Sequence, residues 1–256
     1  MQVDVLLDPF DGRWSDIRAA AEAADASPIG GLWTYDHLAG SVHRAGHVVE
    51  AWTTLSALAG ATRRLVLGPL VLNAANRDPA TLAVAAATFQ EVSGGRLLLG
   101  IGAGGGRSTP YAAEQRGLGR EVPGDRARRA AVEATVQRWR EVWSGSVGGV
   151  AGYLRPDPPP PVIVGGFGPK MAELAGRVGD GINVPGGPGF ERLVDVARRA
   201  RAAAGREAEP FVVTVSARPA ARELARLADA GVDRAIVNVR PPYVDDIRRV
   251  ADLVTS

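Results

Sequence analysis

A single (β/α)8 barrel domain over residues 1–256 is the fold the sequence predicts, on three observations. Eight short apolar runs alternate with eight longer stretches of helical periodicity. The runs are continuously apolar, as parallel strands buried on both faces should be. The length of 256 residues is close to the ~250 of a minimal closed barrel. Regular alternation of strand and helix imposes right-handed crossovers and a parallel sheet, and eight units favour closure over an open, doubly wound sheet.

Strands are expected at residues 3–7, 31–35, 65–72, 96–102, 162–165, 181–184, 211–217 and 235–239. Helices fall between them at 16–26, 49–61, 79–92, 125–143, 169–178, 190–204, 219–230 and 244–254. Asp78 ahead of Pro79 reads as an N-cap followed by proline at the first helical position, and Gly60, Gly94, Gly205 and Gly231 stand where helices should stop. One interval breaks the rhythm. Between the fourth and fifth strands lie about 60 residues: a glycine run at 102–106, a polar loop to Gly124, one long helix, and a stretch ending in the stiff proline-rich run 156–161. Loops of this length inside a compact domain are commonly lids, and this excursion is the candidate lid.

Composition narrows the function. With 46% hydrophobic residues but only 5% aromatic, Ala, Val and Leu must fill most of the core, and Trp33, Trp52, Phe89, Trp139 and Trp143 read as core. Thirty Lys plus Arg against 28 Asp plus Glu leave a net charge of +2. No basic patch with interleaved aromatics appears, which argues against nucleic acid. The absence of cysteine excludes disulfides, thiolate nucleophiles and cysteine metal sites, and fits a cytoplasmic protein. The first ten residues carry Asp4 and Asp8 without a basic segment, and nowhere do 18 apolar residues run together. Neither a signal peptide nor a membrane span is expected.

In a parallel barrel the site lies where the strands end. The residues there are Asp8; Asp36 and His37; Asn73, Asn76 and Arg77; 102–107; 165–167; Asn183; Ser216 and Arg218; Asn238 and Arg240. His37 is the candidate for proton transfer, since an imidazole ordinarily titrates near ~6.5, and Asp36 could fix its tautomer. Equally, the pair could simply cap the chain leaving the strand. His43 and His47 lie in a polar loop and read as solvated. The three histidines lack metal-ligand spacing, and no metal is expected. The glycines at 100–106 look like a dinucleotide fingerprint, but a polar loop follows them where such a fingerprint needs a helix. The run Gly165-Gly166-Phe167-Gly168-Pro169-Lys170 reads as strand, turn and helix start. Its free N–H groups, with Lys170 or Arg107, would hold a phosphate, or the run is a tight turn with no ligand. No nucleophile elbow or Walker A sequence is present, which removes serine hydrolases and nucleoside triphosphatases.

These pieces combine into a resemblance. Gly31-Leu32-Trp33-Thr34-Tyr35-Asp36-His37, the stretch from Glu50 through Gly68, Asn76-Arg77-Asp78-Pro79-Ala80, Ser93 through Gly102, Pro161 through Gly166, and Gly179-Asp180-Gly181-Ile182-Asn183 together resemble the bacterial luciferase-like monooxygenase superfamily over most of residues 1–185. The resemblance implies a TIM barrel that binds FMN or the deazaflavin coenzyme F420. For the F420-dependent oxidoreductase branch it implies that Asp36 and His37 are catalytic, with Asp36 also beside the ring system. It implies a non-prolyl cis peptide at Leu70–Val71 behind the ring, a cofactor contact from Asn73, and backbone contacts from Gly102, Gly104, Gly105, Gly106, Gly165 and Gly166. One departure stands out: Gly105 occupies the place where sugar-phosphate dehydrogenases of this family carry Glu, so a second acid–base group is unassigned. The chain is shorter than many relatives, so the lid should be reduced.

The expected function is hydride transfer between F420 and a small organic substrate, with His37 as acid and base. The compact chain and its Arg- and Gly-rich C-terminal face tilt the cofactor toward F420. The alternatives are an FMN-dependent monooxygenase of a two-component system, or a noncatalytic barrel that binds a flavin or a phosphosugar. A homodimer through the second and third helices is the expected assembly, with Ala57, Ala61, Ala83, Ala86 and Ala87 allowing close approach, although such faces also fit against a barrel.

Overall fold

The computed structural model describes residues 1–255. Its strands are β1 (Gln2–Leu7), β2 (Gly31–Thr34), β3 (Val66–Pro69), β4 (Leu72–Asn73), β5 (Leu99–Gly102), β6 (Ser146–Val147), β7 (Val150–Ala151), β8 (Val162–Gly165), β9 (Gly181–Pro185), β10 (Val212–Ala217) and β11 (Arg234–Val239). The helices are α1 (Trp14–Asp25), α2 (Ala51–Ala61), α3 (Pro79–Ser93), α4 (Ala112–Gly117), α5 (Asp125–Trp143), α6 (Pro169–Val178), α7 (Phe190–Ala203), α8 (Ala221–Asp229) and α9 (Val244–Thr255).

One parallel sheet runs in the order β3-β2-β1-β11-β10-β9-β8-β5-β4. Its two edges, β3 and β4, are halves of the same expected strand, and Leu67 bridges Leu97 in parallel. The sheet therefore closes into the eight-stranded TIM barrel. The third strand is not one continuous run over 65–72: it breaks after Pro69 and resumes at Leu72, and the Leu70–Val71 peptide between them is cis, as the family resemblance implied.

The strand period of two sorts side chains into two cores. Val3, Val5 and Leu7 of β1 belong to the large outer core between sheet and helices, while Leu6 joins Trp33, Leu70, Leu98, Ile163 and Ile236 in the lumen. Lower in the lumen, the buried Asp4 carboxylate accepts the Trp33 Nε1–H at 2.9 Å and pairs with Arg234 at 2.9 Å. One large aromatic ring thus fills the barrel that a composition poor in aromatics must otherwise close with aliphatics.

Helix ends follow local chemistry. Asp78 accepts the Thr81 N–H at 2.8 Å ahead of Pro79, and Gly94, Gly205 and Gly231 have φ of 66°, 72° and 72° just past α3, α7 and α8. Gly60 does not stop α2: it stays inside the helix, which ends at Thr62 in extended backbone. Ala83, Ala86 and Ala87 are buried against the barrel, and Ala57 and Ala61 are exposed.

The long interval stays part of the barrel. It adds the short α4, the long α5 and an antiparallel hairpin of β6 and β7, and Gln90 pins the proline run by donating to Pro158 O at 2.9 Å. Among the described residues no helix is long and apolar enough to cross a membrane.

Candidate active site

The end of β2 sets the geometry. Alternation puts Tyr35 on the lumen side, packed on the Trp33 cluster, and turns Asp36 the other way. The Asp36 side chain is fully buried. It accepts the Asn73 N–H at 2.8 Å, the Asn76 amide at 3.0 Å, and both Arg77 nitrogens at 2.8 Å. Arg77 also pairs with Glu50, which caps α2 by accepting the Trp52 and Thr53 N–H groups at 3.0 and 2.6 Å. Burial alone would lower the Arg77 pKa, but Asp36 and then Glu50 raise it above the ordinary arginine value. For Glu50 burial pushes the pKa up, and the Thr53 and Trp52 N–H groups with Arg77 outweigh it, leaving it below the usual carboxylate range. Asp36 is thus the tie between the ends of the second and third barrel strands.

The carboxylate that orients His37 is not its neighbour but Glu114 on α4. Glu114 Oε1 lies 2.7 Å from His37 Nδ1, and Oε2 accepts the Leu38 N–H at 3.2 Å. The Glu114 side chain is 3% exposed. Its neighbour Gln115 donates to Asn76 Oδ1 at 2.6 Å, and Asn76 in turn binds Asp36. One hydrogen-bonded chain therefore locks α4 against the strand ends and delivers Glu114 to the imidazole. With Nδ1 engaged by Glu114, Nε2 has no hydrogen-bond partner among the described residues.

Aromatic rings surround this imidazole. Ring centroids lie 5.4 Å away for Phe10, 6.3 Å for Tyr35, 5.3 Å for His43 and 5.1 Å for Tyr111. His43 is exposed, as its polar loop suggested, while one face of its ring packs 4.2 Å from Phe10. His47 remains apart, donating to or accepting from groups near Gly12 and Asp11. The Asn238 amide donates to the Tyr35 hydroxyl at 3.3 Å. Burial and then Asp8 raise the Tyr35 pKa, so the phenol keeps its proton at neutral pH.

Val71 explains much of the glycine pattern. A Cβ on Gly102 would lie 2.6 Å from Val71 Cγ2, and one on Gly165 would lie 2.9 Å from Val71 Cγ1. The loop after β5 is tight in the same way: Gly104, with φ of 66°, leaves no room for a Cβ against Asn73 at 2.5 Å, and Gly105 none against Tyr111 at 2.5 Å. Gly106 faces Arg128, which donates to Ala103 O and Gly104 O at 2.9 and 2.5 Å. Gly166 faces Met171, and α6 begins with no side-chain cap on its N–H groups. Arg107 is turned away to Val122 O at 2.6 Å, and Asn183 donates to Thr214 Oγ1 at 2.8 Å inside the sheet. Glu114, Tyr35, Phe10, Tyr111 and Gln115 are the site residues that sequence reasoning missed. The one available signal for Glu114 was an acidic residue in an otherwise Arg- and Gly-rich loop.

A sequence model described as luciferase-like monooxygenase matches residues 2–253. The chain is 32% identical over 191 residues to the F420-dependent glucose-6-phosphate dehydrogenase of Amycolatopsis mediterranei, covering 70% of this chain and 56% of that protein. It is 34% identical over 190 residues to the F420-dependent hydroxymycolic acid dehydrogenase of Mycobacterium tuberculosis, covering 70% and 51%. The chain thus spans about half the length of the curated relatives it matches. Among solved structures, an F420-dependent secondary alcohol dehydrogenase in complex with an F420-acetone adduct superposes with a TM-score of 0.85 at 18% identity over 99% of this chain and 98% of that one. The coenzyme F420 dependent tetrahydromethanopterin reductase of Methanopyrus kandleri gives 0.76 at 16% identity over 98% of each chain.

Proposed function

The chain belongs to the luciferase-like monooxygenase family, and from that premise we propose that it transfers a hydride between coenzyme F420 and a small organic substrate, with His37 as acid and base. The observation that carries this reading is the contact of the buried Glu114 with His37 at the strand ends, in a family whose relatives above are F420-dependent dehydrogenases.

The donor set suits F420. The side-chain directions of Gly104, Gly105 and Gly106 are filled by Asn73, Tyr111 and Arg128, and the remaining open backbone of this loop would meet a flat ring or its tail. The uncapped N-terminus of α6 beside Gly165, Gly166 and Lys170 would take a phosphate. Leu70, Val71 and Asn73, at the break in the third strand, would line the ring. F420 when bound supplies the site for accepting or donating the hydride. The chain's own residues do the rest: Glu114 holds the Nδ1 proton of His37, Nε2 takes or gives the substrate proton, and Asp36 acts by holding Asn73, Asn76 and Arg77 in place. The rings of Phe10 and Tyr111 border the imidazole.

A homodimer through α2 and α3 would use Ala57 and Ala61 together with Val84 and Val92, which are 41% and 63% exposed. A cytoplasmic location fits the absence of cysteine. The deciding experiment titrates the protein with F420 and with FMN, following cofactor fluorescence. Saturable binding of F420 with little of FMN is expected; FMN alone would point to a two-component monooxygenase, and neither to a noncatalytic barrel.

A further inference from the structure

Tyr35 and His37 stand two residues apart just past the end of β2, with Asp36 between them turned to Arg77. Their rings meet edge to face with centroids 6.3 Å apart. Each keeps one polar function without a partner among the described residues. Asn238 donates to the Tyr35 oxygen, so the phenolic proton itself has no acceptor. Glu114 occupies Nδ1 of His37, so Nε2 is open.

A carbinol or carbonyl oxygen can accept a hydrogen bond from one neighbour while exchanging a proton with the other. Phe10 and Tyr111 add uncharged ring faces beside it. Asp8 and Arg240 both act on Tyr35 electrostatically, but they lie 4.0 Å from each other and offset one another.

We propose that Tyr35 is a second residue on the reacting oxygen, forming with His37 a two-point clamp that selects a small uncharged alcohol or its carbonyl product. This rests on the hydride-transfer reading above. In the oxidising direction the carbinol carbon gives its hydride to F420, the carbinol O–H gives its proton to His37 Nε2, and the C–O bond becomes C=O. Tyr35 keeps its proton and donates to the oxygen throughout; reduction runs the same atoms in reverse. Its donation strengthens as negative charge gathers on oxygen, which is where a fixed donor acts on rate.

The test uses isobutyramide, an unreactive compound whose amide oxygen and branched carbon imitate a small ketone. Its binding is followed by saturation-transfer NMR on the protein in the presence of F420, with cofactor fluorescence recorded in the same samples. Wild type should bind it saturably. Tyr35→Phe should bind it about tenfold more weakly, the effect of one neutral hydrogen bond, with F420 binding unchanged. Asn238→Ala should stay within about twofold, because Asn238 donates to the phenol and does not compete for its proton. Absence of saturable binding by wild type, equal binding by Tyr35→Phe, or equal loss in Asn238→Ala and Tyr35→Phe would each overturn the clamp. Failure of F420 to bind, with the isobutyramide pattern intact, would instead remove the hydride-transfer reading and with it the role of Tyr35 on a reacting oxygen, leaving only a binding site made by Tyr35 and His37.

Discussion

Glu114 Oε1 stands 2.7 Å from Nδ1 of His37 although 77 positions separate the two in the chain. The contact holds the imidazole in one orientation, with Nδ1 engaged by the carboxylate.

Replacing His37 by Ala should lower turnover by about 10²- to 10⁴-fold, the usual contribution of a positioned acid–base group. F420 affinity should not change, because the imidazole faces the substrate. Steady-state kinetics with fluorescence titration separates the two, and unchanged turnover would remove His37 from its role.

Glu114→Ala should reduce kcat by about 10²-fold with KM little altered, since the residue acts through His37 and not on the substrate. Glu114→Gln should fall between wild type and Glu114→Ala: an amide oxygen still accepts the Nδ1 proton but carries no charge to support an imidazolium. A KM effect without a kcat effect would contradict this assignment.

Asp36→Asn should destabilise the fold by about 2–4 kcal/mol, toward the low side of breaking a buried ion pair because Glu50 still faces Arg77. Thermal unfolding measures the loss. A variant with wild-type stability would show that the Arg77 clamp carries little of the structure.

Gly165→Ala should cost about 1–3 kcal/mol through overpacking against Val71. Combining it with Val71→Ala should cost less than the sum of the single changes by at least about 0.5 kcal/mol, because the side chain that the new Cβ strikes is gone. Strict additivity in a denaturant double-mutant cycle would show that Val71 is not what requires the glycine.

Glu50 has a folded pKa below its ordinary value of 4.5. Its contribution to stability is therefore fully present above pH 4.5 and is lost as pH falls through the lowered folded value, since the unfolded chain protonates first. Glu50→Gln should be less stable than wild type at neutral pH, and the gap should close in acid. A gap independent of pH would mean that the cap works without its charge.

Most of the fold was legible because it rests on local, repeating signals. The apolar runs of 162–165 and the Asp78-Pro79 cap matched their elements closely, since burial on both faces and capping chemistry leave marks within a few residues. Deviations came where local preference was overruled. The third strand reads as one apolar run, yet it breaks at Leu70–Val71, and Gly60 reads as a stop but stays helical because α2 is held by its packing.

The site was legible only in part, for a related reason. The sequence by itself determined the barrel, the ring of strand ends and His37 among them, because strand periodicity and chain order suffice to place those residues. Only the tertiary structure decided that Glu114 and not Asp36 orients the imidazole, that Asp36 is consumed by Arg77, and that His43 and Tyr111 come from separate loops to border His37. Such pairings join distant segments through side-chain hydrogen bonds, and neither composition nor periodicity records which loops will meet.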